Sequence, residues 1–249
     1  MILKYSLCST LLFLSFNGFC QIVNVESRRP GSTDEGLHGN ITLSLDFTRN
    51  TADLLRYGNR STIAYKKLRH RWLLLTDLER VKAGNSDFVN GGFEHVRYTY
   101  ALGESERFAF EAFQQAQFNS VQKINLRLLN GAGLRWNAIR SDSLKLSIGS
   151  LPMYEYEETT EGVQRNIRQS TYLLFFIALG GVEFQTINYF QPKVNDLRDY
   201  RISSSSKFEF HLWKGLRFNT TFDLLYDTQV PEGIPSLVFA LKNGVAIEF

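Results

Sequence analysis

The sequence predicts an all-β protein, an antiparallel transmembrane up-and-down β-barrel of about twelve strands, and three observations carry that expectation. The first is a two-residue period held across residues 121–157. Ile124, Leu126, Leu128, Ala132, Leu134 and Trp136 share one face, and Lys123, Asn125, Arg127, Gly131, Gly133 and Arg135 share the other. After a turn at Arg140-Ser141-Asp142-Ser143, Leu144, Leu146, Ile148, Tyr154 and Tyr156 oppose Lys145, Ser147, Gly149, Glu155 and Glu157. Successive side chains of a strand point to opposite faces, so this period describes strands with one apolar and one polar face. The second observation is length: these runs exceed the roughly five or six residues of an ordinary strand and reach the roughly nine to eleven that a tilted strand needs to cross a bilayer. The third is an aromatic share of 14%, with 20 Phe and 11 Tyr spread along the chain, which suits aromatic girdles at two membrane interfaces.

Residues 1–20 read as a secretory signal. Lys4 supplies the positive start, Leu11-Leu12-Phe13-Leu14 the apolar middle, and Gly18 and Cys20 small residues at cleavage spacing. Phe19 stands where a lipid-attachment motif needs a small residue, so lipidation of Cys20 is the weaker reading. Cleavage lowers the formal charge of +3 by one and removes both cysteines, Cys8 and Cys20, leaving no thiol for a disulfide, metal or nucleophile. The longest later apolar run, residues 172–182, is about half the roughly 20 residues a membrane helix requires. A membrane-spanning form of this chain is therefore a closed barrel.

Residues 21–38, with Arg28-Arg29-Pro30-Gly31 and Asp34-Glu35-Gly36, read as a periplasmic lead-in, and residues 39–249 as the barrel. Ile41, Leu43, Leu45 and Phe47 alternate with Thr42, Ser44 and Asp46; Tyr57, Ile63 and Tyr65 oppose Arg56, Arg60 and Lys66. Residues 71–80 and 88–100 alternate less cleanly around a turn at 83–87. Phe108, Phe110, Ala112, Ala116 and Phe118 oppose Arg107, Glu111, Gln115 and Gln117. Beyond the central hairpin come a charged loop at 157–166, the most apolar strand at 167–179, the Gly180-Gly181 turn, a strand to residue 193 and a loop at 192–198. Tyr200, Ile202, Phe208, Phe210 and Leu212 then face away from Arg201, Lys207, Glu209 and His211. A tight turn at Trp213-Lys214-Gly215 leads to Leu216, Phe218, Phe222, Leu224 and Tyr226, opposed by Arg217, Asn219, Thr221 and Asp223. A loop at 227–236 precedes the last strand, which ends in Phe249. An even strand count returns the C-terminus to the side of the N-terminus, with short turns there and longer loops opposite, notably after the seventh, ninth and eleventh strands.

Several segments together resemble the domain-of-unknown-function 481 family, whose label is salt-induced outer-membrane protein, YdiY-like. They are residues 21–26, Asp87-Phe88-Val89-Asn90-Gly91-Gly92-Phe93, Leu126-Arg127 with Gly131-Ala132-Gly133, Met153-Tyr154-Glu155-Tyr156-Glu157, Asp199-Tyr200-Arg201-Ile202-Ser203, and Tyr226-Asp227 with Pro231-Glu232-Gly233-Ile234-Pro235. The resemblance implies an outer-membrane barrel of a Gram-negative bacterium of the Bacteroidetes type, with a role in salt stress. It brings no catalytic or ligand-binding residues with it.

The chemistry expected of the residues is that of a lumen. His38, His70, His95 and His211 show no metal-ligand spacing, there is no nucleophile elbow or phosphate loop, and no cofactor is expected. Gly131-Ala132-Gly133 lies mid-strand, where close strand packing or a kink explains it better than a dinucleotide fingerprint. The near-balanced charge argues against a nucleic-acid partner. The candidate lumen-lining residues are Arg60, Lys123, Arg127, Arg135, Lys145, Arg201, Lys207 and Arg217 with Glu111, Glu155, Glu209 and Asp223. Charges of both signs in a narrow bore pair and fill it, leaving a small or largely filled pore with a slight basic excess. The expected partners are outer-membrane lipid, small solutes or ions, and the barrel-assembly machinery acting on the strand that ends in Phe249. The alternatives are a barrel enzyme acting on lipid, for which His211 and the outward Ser204 and Ser206 make no evident pair, and a surface-binding module using its longer loops.

Overall fold

The alternation is realised as twelve strands in a computed structural model that describes residues 35–49, 53–84, 86–213 and 215–247. They are β1 (Gly36–Arg49), β2 (Asp53–Lys67), β3 (His70–Ala83), β4 (Ser86–Leu102), β5 (Phe108–Asn119), β6 (Ile124–Arg140), β7 (Leu144–Thr159), β8 (Gly162–Leu179), β9 (Val182–Lys193), β10 (Asp196–Trp213), β11 (Leu216–Asp227) and β12 (Leu237–Ile247). The signal, the lead-in through residue 34 and Phe249 lie outside the described residues. All twelve strands belong to one sheet in sequence order, each pairing antiparallel with the next. The beginning of β1 and the end of β12 consequently lie at the same end, here termed the terminal end; the other is the loop end.

The sheet is rolled. In a flat sheet, strands about 4.8 Å apart put β4 and β8 roughly 19 Å from each other. Yet the guanidinium of Arg97 on β4 lies 5.9 Å from the ring of Tyr172 on β8. Lys123, in the turn between β5 and β6, donates a 2.6 Å hydrogen bond to the carbonyl of Glu232, between β11 and β12. A sheet curled round on itself, as in a barrel, brings those segments together. Its seam falls between β12 and β1, which no ladder joins among the described residues.

The polar faces point in and the apolar faces out. Glu111 and Glu155 are fully buried, while Leu43, Leu45, Phe239 and Val245 are exposed on the outer wall. The unclear alternation of residues 71–100 has a physical cause in β3 and β4. There Leu73 and Leu75 face inward and pack against Ala64 and Phe93, so β3 is apolar on both faces. Leu129, Leu151, Met153 and Ile187 are likewise buried, so the interior holds an apolar layer that a purely polar lumen lacks. A bulge between Ile124 and Leu126 also turns Ile124 inward, against its expected outward place.

Two expected loops are strand. β7 continues to Thr159 and β8 starts at Gly162, so only Thr160 and Glu161 connect them; Val194 and Asn195 alone separate β9 from β10. At the first, charged sequence was misleading because Glu157 faces inward and finds arginine partners. The expected sorting into long and short connections therefore fails at those two turns and holds at residues 228–236. At the terminal end, β1 starts at Gly36 rather than Gly39.

The inward glycines make room for the bore. A Cβ on Gly133 would lie 2.1 Å from the carbonyl oxygen of Ser150, one on Gly131 2.5 Å from the Phe113 ring, and one on Gly149 2.1 Å from the Tyr172 ring. Close strand packing is what the Gly131-Ala132-Gly133 segment provides.

Candidate functional site: an ion-paired bore

The interior is organised in layers from the loop end to the terminal end. The first is an ionic lattice. Glu155 on β7 accepts a 2.6 Å hydrogen bond from Nε of Arg168 on β8, lies 3.7 Å from Arg127 on β6, and is met by Arg201 from β10 across the bore. Glu157 pairs with Arg127 and, at 3.0 Å, with Arg201. Arg201 also donates through Nε to Asp227 on β11 at 2.6 Å, and Arg168 reaches Asp199 on β10 at 2.8 Å. Inward placement follows from parity: Arg127, Glu155, Glu157, Arg168, Asp199, Arg201 and Asp227 each sit on the polar face of their strand. Three guanidiniums face four carboxylates, and forked donors satisfy several acceptors each. Burying such groups is costly unless they are mutually paired, and here they are.

The second layer is apolar and aromatic. Leu151, Tyr172, Ile187 and Tyr189 form a buried cluster against Phe113 and Leu174. His95 stacks on Phe113 at 5.5 Å, and its Nδ1 lies 3.0 Å from the Gln115 side-chain oxygen. The void left here is about 30 Å³, room for a water or two and for no solute.

The third layer is centred on Glu111 of β5. It accepts hydrogen bonds from the Tyr172 hydroxyl at 2.7 Å and from Thr99 at 3.3 Å, and lies 3.6 Å from both Arg97 and Arg135. Below it the bore opens into a cavity of about 650 Å³ at the terminal end.

Among the residues expected to line the lumen, Arg127, Arg135, Glu111, Glu155 and Arg201 are buried in these layers. Lys207, Glu209, Arg217 and Asp223 face inward nearer the seam in solvent-open pairs: Lys207 with Glu209 at 2.7 Å, Arg217 with Glu209 at 3.6 Å, and Asp223 with Lys242 at 2.9 Å. Arg60 is similarly exposed and pairs with Asp77 at 2.9 Å. Lys145 is at the rim of the large cavity, 5.3 Å from the Phe176 ring. Lys123 is a correction: β6 starts only after it, so it occupies the loop-end rim in a left-handed conformation, φ 58°, rather than the wall. There it holds Glu232, whose backbone N–H also donates to Glu161, and the segment 228–236 is drawn over the loop-end mouth.

Sequence reasoning missed Arg168, Tyr172, Asp199, Arg97 and Asp227. The first was hidden in the most apolar strand, although its alternation with Ile167 and Gln169 gives its direction. Among the described residues no group of three His, Cys, Asp or Glu side chains is arranged to hold a metal.

A solved structure of the NanC porin, in a rhombohedral crystal form, is similar to 86% of this chain and 98% of its own, with a TM-score of 0.47 at 14% identity. No curated protein sequence matches the chain significantly. The family model described as "Protein of unknown function, DUF481" matches residues 41–237, most of the chain, from within β1 to the first residue of β12, and the chain belongs to that family.

Proposed function

We propose that the protein is an outer-membrane β-barrel, exported by its N-terminal signal, whose bore is a small, ion-pair-filled pore rather than a general diffusion channel, and that it serves the cell envelope under salt stress as the family resemblance implies. One observation carries the closed bore: Glu155, with no exposed surface, is held by arginines from three other strands, one of them across the barrel. Membrane placement is supported by the outer wall, where Leu43, Leu45, Phe239, Leu241 and Val245 are all exposed. Left in water, so much apolar surface is unfavourable; in lipid it is matched. Twelve strands also lie between the roughly eight-stranded barrels that side chains fill and the roughly 16–18-stranded porins with open channels.

The rival lipid-hydrolase reading requires a serine beside a histidine. Ser206 is engaged with Thr186 at 2.8 Å on the outer face, whereas His211 faces inward, 3.6 Å from Glu183. We therefore favour a non-catalytic barrel. The test is the mature chain reconstituted in liposomes. We expect no swelling in isotonic sugar and no release of fatty acid; rapid sugar uptake contradicts the filled bore, and fatty-acid release abolished by His211→Ala establishes the enzyme.

A further inference from the structure

We propose that the cavity at the terminal end is a binding site for a small amphipathic anion, an aromatic or short aliphatic body carrying one carboxylate, phosphate or sulfonate. Its volume of about 650 Å³ falls within the range of ligand pockets, about 300–1,000 Å³. It is blind: its floor is Arg135, backed by the buried Glu111 layer, so a molecule that enters from the terminal end does not pass through.

The lining sets charge and apolar surface side by side. Arg135 on β6, with Lys145 and Arg140 at the rim, brings positive charge, and the cross-strand partners Ala109 on β5 and Phe176 on β8, with Leu73, Ala101 and Leu174, bring apolar surface. The cation of Lys145 lies over the Phe176 ring, so the two kinds of lining meet there. Charge balance favours an anion. Glu106 neutralises part of the rim, pairing with Arg71 at 2.7 Å and Arg140 at 2.9 Å. It is shared between two arginines, and Lys66 and Lys145 lie on the same cavity, against which the further lining carboxylate is Asp142. An ammonium ligand meets excess like charge there; a neutral apolar one leaves the cations facing a low-dielectric body. An amphipathic anion matches both kinds of lining. The site does not depend on whether the bore conducts.

Equilibrium dialysis of 2-naphthoate against the full mature chain in zwitterionic lipid nanodiscs, with empty nanodiscs as blank, tests this. The expected result is saturable binding at one site per chain, with 2-naphthamide, the neutral isostere, bound about tenfold or more weakly, as loss of a charge-assisted contact implies. Lys145→Gln, at an exposed rim position and checked for an unchanged urea midpoint, is expected to weaken naphthoate about three- to tenfold and leave naphthamide unchanged. Phe176→Ala weakens both. Binding no greater than to empty nanodiscs, equal affinity for acid and amide, or an undiminished Lys145→Gln affinity overturns the proposal. Sugar exclusion by the same preparation is read separately, so failure of this site and failure of the closed-bore reading are distinguishable.

Discussion

Tyr172 on β8 reaches across the interior to Glu111 on β5 and donates a 2.7 Å hydrogen bond to a carboxylate with no exposed surface. Two strands, β6 and β7, separate them along the sheet, so this contact is both a brace and a closure of the bore. Tyr172→Phe keeps the ring but removes the donor. Loss of one hydrogen bond to a buried charge is expected to destabilise the barrel by about 1–3 kcal/mol in urea titrations of folding into lipid vesicles. An unchanged midpoint would mean that Glu111 is satisfied by Thr99, Arg97 and Arg135 alone.

Gly133 tests the close approach of β6 and β7. The methyl of Gly133→Ala meets the Ser150 carbonyl, a backbone atom that cannot swing aside, and overpacking of this kind costs about 1–3 kcal/mol. The reverse exchange at the outward neighbour, Ala132→Gly, costs about 0.5–1 kcal/mol through backbone entropy. The same vesicle titration reads both, and a larger loss for Ala132→Gly would contradict the geometry.

The outer wall makes a depth-dependent prediction. Leu134, exposed on β6, faces lipid in the proposed membrane placement. Leu134→Arg is expected to cost about 2–4 kcal/mol if it sits near the bilayer midplane. A cost below about 0.5 kcal/mol, the range of ordinary surface substitutions, would place this face in water.

Glu106 lies in the connection between β4 and β5, outside the strands. Burial pushes its carboxyl up, but the guanidiniums of Arg71 and Arg140, with Lys66 nearby, outweigh that and hold it below its usual value of 4.5. A carboxyl lowered in the folded state contributes stability above its unfolded value, and that contribution is lost as pH falls through the lowered folded value. Wild type should therefore lose stability below about pH 4.5 more steeply than Glu106→Gln, with the two curves converging in acid. Parallel curves would show that the Arg71–Glu106–Arg140 cluster contributes nothing to folding.

Much of the architecture was legible because it rests on period alone. The faces of β5, β7, β10 and β11 follow parity, and Arg127, Arg135, Glu111, Glu155 and Arg201 entered the bore by that rule. What parity did not show is depth. It could not separate Arg201, buried among carboxylates, from Lys207, six residues along the same face and open to solvent, because that difference depends on which strands lie opposite. Nor did it show that Glu157 continues a strand rather than opening a loop, since its partners are distant in sequence. The segments that carry the family resemblance fared better. Leu126-Arg127, residues 153–157, residues 199–203 and Tyr226-Asp227 contribute Arg127, Glu155, Glu157, Asp199, Arg201 and Asp227, nearly the whole ionic lattice.

The central claim is that the bore is filled, and single-channel conductance in planar bilayers tests it most directly. Arg127 and Arg135 occupy different layers, the lattice near the loop end and the floor of the terminal cavity, and their stems as well as their charges take up space. Wild type is expected to carry low or intermittent, weakly anion-selective current, which increases clearly when both arginines are shortened to alanine. Large, steady, porin-like current from the unmodified protein would contradict the filled bore.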